Sequence, residues 1–299
     1  MKNARRRYQM KTVTDTQTLR IAYTPDSDDA FTFYAWQHGL VTLEAPGFQP
    51  EFHRDHIIAL NRAAAEQAFD VVAVSSVAYP SLADRYWILS AGNSVGRGFG
   101  PVLVSKNYSM IPELRGKRIA VGGIPTTGST LALMFCPEAE FVEMAYDQIA
   151  AAIRREEIAA GIMIHEELLA FTEMGLQCVC DLGIAWNEDT GLPLPVGLNL
   201  IRKDLGRELA RQVADACQRS LLWGIENGDE AFAFASRFGR GLARKHVQMF
   251  RYQDTLCLPH DVHQALYVLF DRVAAMRIGP MIKSFEVIDG YSASQLKTA

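Results

Sequence analysis

The sequence predicts a two-lobed α/β protein whose two sheets face each other across a crevice. Three observations lead there. Short apolar runs alternate with helical segments, the order that builds parallel sheets. The alternation occurs twice, once before about residue 105 and again after about residue 114. After Asp204 the chain turns mostly helical, so its last third has no sheet of its own and packs most simply on the first lobe. The polar, proline-ended segment 106–112 and the stretch 201–204 suit two crossovers. The expected organisation is a disordered leader at 1–17, a discontinuous first lobe at 18–105 plus 204–299, and a second lobe at 106–203. Ligands favour the crevice between such lobes.

In chain order, residues 19–23 read as a strand and 29–38 as a helix, then 48–53 as a strand and 57–68 as a helix. The apolar run 70–74 is a strand followed by the helical 77–84, with further strands near 87–91 and 100–104. Residues 117–121 open a new unit of strand, glycine-rich turn and helix at 127–135. Strands at 140–144 and 160–164 alternate with helices at 146–156 and 166–174, the last closed by Gly175. Strands near 178–182 and 197–201 precede helices at 206–227, 229–238, 241–249 and 260–276.

A chain of 299 residues buries an ample core, and 49% hydrophobic with 21% charged residues is a soluble, globular balance. The net charge of −4 supplies no basic field for nucleic acid or an anionic membrane. Lys2, Arg5, Arg6, Arg7 and Lys11 sit in a tail with little apolar content, which reads as the leader. No apolar segment follows them, so no secretory signal is expected, and no run reaches the length of a membrane span. The five cysteines are odd in number and scattered. Cys178 and Cys180 alternate on one strand face, without the spacing of a disulfide or metal motif. A cytoplasmic protein with reduced thiols is expected.

Four strand-to-helix junctions carry the chemistry. His165 ends the apolar run 161–164, at the carboxyl edge of a strand, where open α/β sheets bind ligands. An imidazole there exchanges protons near neutral pH; the bland alternative is a silent structural histidine. Thr24-Pro25-Asp26-Ser27-Asp28-Asp29 follows the first strand. One of its acids suits a helix cap, while three together favour a hydrogen-bonding ligand or cation over a bare anion. It lacks the mid-loop glycine and closing glutamate of a calcium loop. Ser75 and Ser76 offer hydroxyls to a ligand or cap the next helix, without a Gly-x-Ser-x-Gly elbow. Gly122-Gly123-Ile124-Pro125-Thr126-Thr127-Gly128 places glycines and hydroxyls at a helix start, which suits a ligand carboxylate. It is neither a P-loop nor a dinucleotide fingerprint. Arg97, in a glycine-dense loop, is positioned to reach an acidic ligand. His260 and His263 share a helix face without further ligands and read as surface residues.

On Ile164-His165-Glu166, Asp181-Leu182-Gly183 with Trp186, and Gly191-Leu192-Pro193-Leu194-Pro195-Val196-Gly197, the chain resembles the 1,4-dihydroxy-6-naphthoate synthase family of the futalosine route to menaquinone, and its broader relatives including chorismate dehydratase. The resemblance runs from about residue 19 to about residue 278. It implies a type II periplasmic-binding-protein-like fold, with mixed sheets, helices on both faces and an interlobe cleft. It implies a cytoplasmic lyase that acts on cyclic dehypoxanthinyl futalosine without metal or organic cofactor; a monomer or homodimer is expected. His165 falls at the family's proposed base, Ser75 at its serine, and Thr126 and Thr127 at the paired threonines that hold substrate oxygens.

The departures concern substrate-facing positions. The family's first loop reads Ser-Pro-Cys-Pro-Asn-Asp-Thr-Phe; here Asp28 replaces the amide and Ala30 the hydroxyl. Gly122 and Ile124 stand where the family has proline and lysine, and residues 251–255 replace Val-Asn-x-x-Thr. The expected activity is the family's carbon–carbon lyase reaction, or that of a paralogue on a related cyclic carboxylate. Substrate would be held by Asp26, Asp28, Ser75, Ser76, Arg97, Thr126 and Thr127. A non-catalytic solute-binding protein of the same fold is the alternative.

Overall fold

The structure, a computed structural model, describes residues 16–291. Residues 1–15 of the expected leader lie outside the described residues, and Gln17 already belongs to the first strand. The first sheet begins with β1 (Gln17–Tyr23), β2 (Phe48–Arg54), β3 (Val71–Ser75), β4 (Tyr86–Leu89) and β5 (Ser94–Gly96). The second comprises β6 (Val102–Ser105), β7 (Arg118–Val121), β8 (Glu140–Glu143), β9 (Ala160–Met163) and β10 (Gln177–Asp181). The chain then returns to the first sheet through β11 (Leu194–Arg202) and, near its end, β12 (Val287–Ile288). Both sheets are mixed. β1 runs parallel to β2 and β3, β7 parallel to β8 and β9, and β11 antiparallel to β3, β4 and β5.

The crossovers fall earlier than the sequence implies. β6 pairs with β9 and β10, so residues 102–105 belong to the second lobe; β11 lies between β3 and β4, so residues 194–202 belong to the first. The physical reason is that every residue of β6 is buried, and an apolar strand fits the middle of either sheet. Its composition declares burial without declaring its neighbours.

Helices cover both sheets. In the first lobe, α1 (Ser27–Gln37) and α2 (Ile57–Ala65) follow β1 and β2. In the second, α3 (Thr127–Phe135), α4 (Tyr146–Arg154), α5 (Glu167–Ala170) and α6 (Leu182–Thr190) follow their strands. The expected helix over 166–174 keeps only α5 as α-helix and continues as turns to Gly175, whose φ of +75° ends it. The late helices are α7 (Arg207–Glu226), α8 (Gly228–Ala235), α9 (Ala243–Met249), α10 (Tyr252–Leu256) and α11 (His260–Ala275). α7, α8 and α9 pack on α1, as expected for a third without its own sheet. α11 serves both lobes: Val262, Leu266 and Phe270 join the first-sheet core, while Leu269 and Val273 pack with Leu182 and Trp186.

The lobes are closed on each other. Glu166 Oε2 accepts the backbone N–H groups of Arg240 and Leu242 at 2.5 and 3.0 Å, and Arg240 Nη1 lies 2.8 Å from Glu167 Oε2. Asn61 on α2 donates to the Pro125 carbonyl at 3.0 Å. Gly123, at φ +149°, lies flush on α2: a Cβ there would meet Ile58 Cγ1 at 2.6 Å.

Candidate active site

Parallel pairing brings the carboxyl ends of β1 and β3 to one edge, and those of β7 and β9 to the facing edge. Thr24, Asp26, Asp28, Asp29, Ser75, Thr126, Thr127 and His165 accordingly line one interlobe cleft.

The first-lobe wall is built on the β1–α1 turn. Asp26 caps α1, with Asp29 N–H donating to its Oδ1 at 3.4 Å. Thr24 donates its N–H to Asp29 Oδ2 at 2.9 Å, and its hydroxyl lies 2.8 Å from Asp26 Oδ2 and 2.6 Å from Asp29 Oδ2. Asp28 meets both Asp26 and Ser94: Ser94 Oγ donates to its Oδ2 at 3.3 Å, while its buried Oδ1 has no hydrogen-bond partner. Burial, and then repulsion from a neighbouring aspartate, pushes each of the three carboxyls up to about 7. Ligand atoms of the three lie within 4.8 Å of one another, the one grouping of metal-ligand side chains among the described residues. The caps and hydroxyls described occupy most of their oxygens, so the cluster suits shared protons better than a dedicated cation cage.

His165 reaches across from the second lobe. Its backbone takes φ +54°, a left-handed conformation at a non-glycine residue that turns the chain sharply after β9. Its Nδ1 then lies 2.6 Å from Asp26 Oδ2, and the edge of Tyr146 packs on the ring at 5.4 Å. Desolvation lowers the ring's proton affinity, opposed by the charges of Asp28 and Glu167. Because burial disfavours charge on carboxyl and ring alike, the contact is best described as one proton held between them. With Nδ1 fixed by the carboxyl, Nε2 is the nitrogen available for chemistry.

The rest of the second-lobe wall is the start of α3. Thr126 is its cap, accepting Ser129 N–H at 3.2 Å. Thr127 donates its hydroxyl to the Val196 carbonyl at 2.7 Å. Helix geometry leaves the N–H groups of Thr127 and Gly128 without in-helix acceptors, so this turn favours an anion. Both threonines are therefore at the cleft as expected, with hydroxyls occupied by the fold and backbone donors left to a ligand.

Two expected ligand contacts are corrected. Arg97 is clamped by two carboxylates, Nε 2.6 Å from Asp254 Oδ2 and Nη1 2.7 Å from Asp261 Oδ2, tying its loop to α10 and α11. Its charge is thus already neutralised, and it does not line the cleft. Ser76 is fully buried and also absent from the lining, because β3 passes directly into a 3₁₀ turn that carries it inward. Ser75 alone of that pair faces the cleft, fixed by Asn61, whose Oδ1 accepts its N–H at 2.9 Å and whose amide donates to its Oγ at 3.2 Å.

Sequence reasoning missed Asn61, Asn199 and His246. Asn199 lines the cleft from β11 and donates to the Gly92 carbonyl. His246, on α9, lines it from the first lobe at 2% exposure. A lone polar residue in a helix or strand carries no local signal. These three matter because distant segments fold beside the junctions.

Comparison with known proteins places these features among relatives. Residues 19–275 match a family model for menaquinone biosynthesis. The "1,4-dihydroxy-6-naphtoate synthase" of Thermus thermophilus is 33% identical over 263 residues, spanning 87% of this chain and 95% of that protein. A crystal structure of a protein from Archaeoglobus fulgidus shares 41% identity with a TM-score of 0.82, over 87% of this chain and 98% of that one. The alkanesulfonate-binding protein of Xanthomonas axonopodis, bound to MOPS, is 14% identical with a TM-score of 0.67, covering 91% and 96%. That last likeness is one of fold, and the periplasmic-binding-protein-like architecture expected from the sequence is the one found.

Proposed function

The chain belongs to the menaquinone-biosynthesis family, and from that premise we propose that it is a cofactor-independent carbon–carbon lyase of the 1,4-dihydroxy-6-naphthoate synthase type. Its substrate is then cyclic dehypoxanthinyl futalosine or a closely related cyclic carboxylate. The observation that carries this reading is the 2.6 Å contact between His165 Nδ1 and Asp26, made across the cleft beside the start of α3.

The lining includes no lysine or arginine. A substrate carboxylate is therefore held by the free N–H groups at the first turn of α3, which supply partial positive charge. Phe99, Leu168 and Phe250 give the cleft an apolar side that suits a ring system. Once Asp26 is ionised, its carboxylate accepts Nδ1–H and holds His165 in the tautomer that leaves Nε2 as the base. Nε2 takes a proton from the substrate. Closure of the lobes excludes water from the step.

Such an enzyme works in the cytoplasm, as a monomer or homodimer. Among the described residues no helix is long and apolar enough to cross a membrane. Asp28, Gly122 and Ile124 depart from the family's loops and are the positions through which a paralogue's substrate would differ.

Incubation of the full-length protein with cyclic dehypoxanthinyl futalosine, followed by mass spectrometry, tests the reading. Formation of 1,4-dihydroxy-6-naphthoate by the wild type and not by His165→Ala supports it. A thermal shift with aromatic carboxylates but no product would favour the solute-binding alternative.

A further inference from the structure

We propose that His246 is a second catalytic residue of this cleft, the general acid that protonates the leaving group opposite the His165 base. The inference rests on the lyase reading and adds a residue, on the other lobe, that the family motifs do not mark. α9 folds over α1 and brings the His246 ring to the cleft wall. Its Nδ1 lies 3.0 Å from Ser27 Oγ and 3.8 Å from Asp28 Oδ1. That Asp28 oxygen is buried and has no hydrogen-bond partner, and the imidazole at 3.8 Å is, with the Asp26 carboxyl, among the groups near enough to serve it. Phe250 packs its edge on the ring at 5.6 Å and limits its rotation. With Nδ1 turned to Ser27 and Asp28, Nε2 is left for a ligand.

The cleft thus holds two carboxyl–imidazole pairs, Asp26 with His165 and Asp28 with His246, and the two rings are mounted on opposite lobes. A lyase needs both directions of proton transfer. His165 Nε2 takes the substrate proton, and the electron pair of that broken bond becomes a new π bond. The bond to the leaving group breaks, and its electron pair stays on the departing atom. That atom takes the Nε2 proton of His246, which enters the step as the imidazolium because its Nδ1–H faces Asp28. One proton is gained by His165 and one lost by His246, so the chemistry balances without an external oxidant or reductant, and solvent exchange resets both rings.

The charges of four groups on neighbouring elements act on His246: Asp28 on α1, His165 and Glu166 after β9, and Arg240 in the turn before α9. Burial lowers its proton affinity first, His165 and Arg240 add to that, and Asp28 and Glu166 oppose it without cancelling it. The Asp28 carboxylate therefore extends the range over which His246 can donate.

The test compares full-length wild type, His246→Gln, His165→Gln and Asp28→Asn on cyclic dehypoxanthinyl futalosine across pH. His246→Gln is expected to lose about 100-fold in kcat with little change in KM, and to lose the alkaline limb of the kcat–pH profile while keeping the acid limb. Asp28→Asn keeps the ring and is expected to move the alkaline limb to lower pH. An unchanged kcat and intact limb in His246→Gln, with wild type active and His165→Gln inactive, would overturn this assignment alone. Wild type without product would remove the reaction reading and the assignment with it. If His246→Gln does not fold, the Asp28→Asn limb decides: an unmoved limb sinks the proposal.

Discussion

The wall contributed by the first lobe concentrates acceptors: Asp26, Asp28 and Asp29 crowd one turn, and each carboxyl is pushed up to about 7. The wall contributed by the second lobe offers donors: the first turn of α3 has free N–H groups and a helix dipole that favours negative charge. His165 is the exception that links them, mounted on the donor wall and bonded to the acceptor wall. The difference teaches that the cleft orients its ligand by polarity. A carboxylate end is held on the second lobe, and the end that exchanges protons faces the first. Neither wall alone assembles the base, because Asp26 meets His165 only when the lobes are closed.

Removing the linking residue breaks the arrangement most. His165→Gln keeps the approximate shape of the ring but lacks the basic nitrogen, so kcat should fall about 1,000-fold with an unchanged far-UV spectrum. Turnover near the wild-type level would mean that the imidazole only joins the lobes. Next comes its partner on the acceptor wall. Asp26→Asn is isosteric but can turn its amide NH₂ toward Nδ1, favouring the wrong tautomer, and should lower kcat about 100-fold with KM little altered. A rise in KM with kcat preserved would instead make Asp26 a substrate contact. That outcome would weaken the idea that its role is to position the base.

A smaller effect tests closure itself. Arg240 Nη1 binds Glu167 at 2.8 Å, its Nη2 lies 2.8 Å from the Tyr146 hydroxyl, and its guanidinium lies over the Tyr146 ring. Arg240 is partly exposed, so screening limits the ion pair to about 1 kcal/mol at most. Arg240→Ala should therefore raise KM about fivefold by favouring the open form, leaving the chemistry in the closed form intact. Small-angle scattering would check the opening; an unchanged KM would show that the Glu166 contacts suffice.

The two walls also differ in how far the sequence revealed them. His165 and the threonines were legible because each lies in the junction after an apolar strand, and strand polarity alone fixes which edge such junctions reach. The first-lobe aspartates were legible for the same reason, although nothing local separated the cap, Asp26, from the unsatisfied Asp28. Arg97 was misjudged because its partners Asp254 and Asp261 lie 157 and 164 residues away in sequence. Ser76 failed on a smaller scale, since a one-residue difference at a strand end decides between cleft and interior. His246 went unseen because only the packing of α9 on α1 makes it part of the wall. The sheet crossovers shifted because a fully buried strand fits either sheet.

The mildest test separates electrostatic cost from function on the acceptor wall. Asp28 ordinarily titrates near 3.8 and is pushed up to about 7, chiefly by burial and then by Asp26, with His246 and His165 opposing. Below its ordinary value the carboxyl is neutral in folded and unfolded chains and costs nothing by ionisation. As pH rises from there towards 7, the unfolded chain releases the proton while the folded chain retains it. Stability is lost across that window, and the loss levels off above it. Asp28→Asn cannot ionise and escapes the penalty. Its melting temperature, relative to wild type, should therefore climb between pH 4 and 7 and stay several degrees higher beyond. If the variant instead melts lower at alkaline pH, the attraction between ionised Asp28 and charged His246 outweighs the cost of burying the carboxylate.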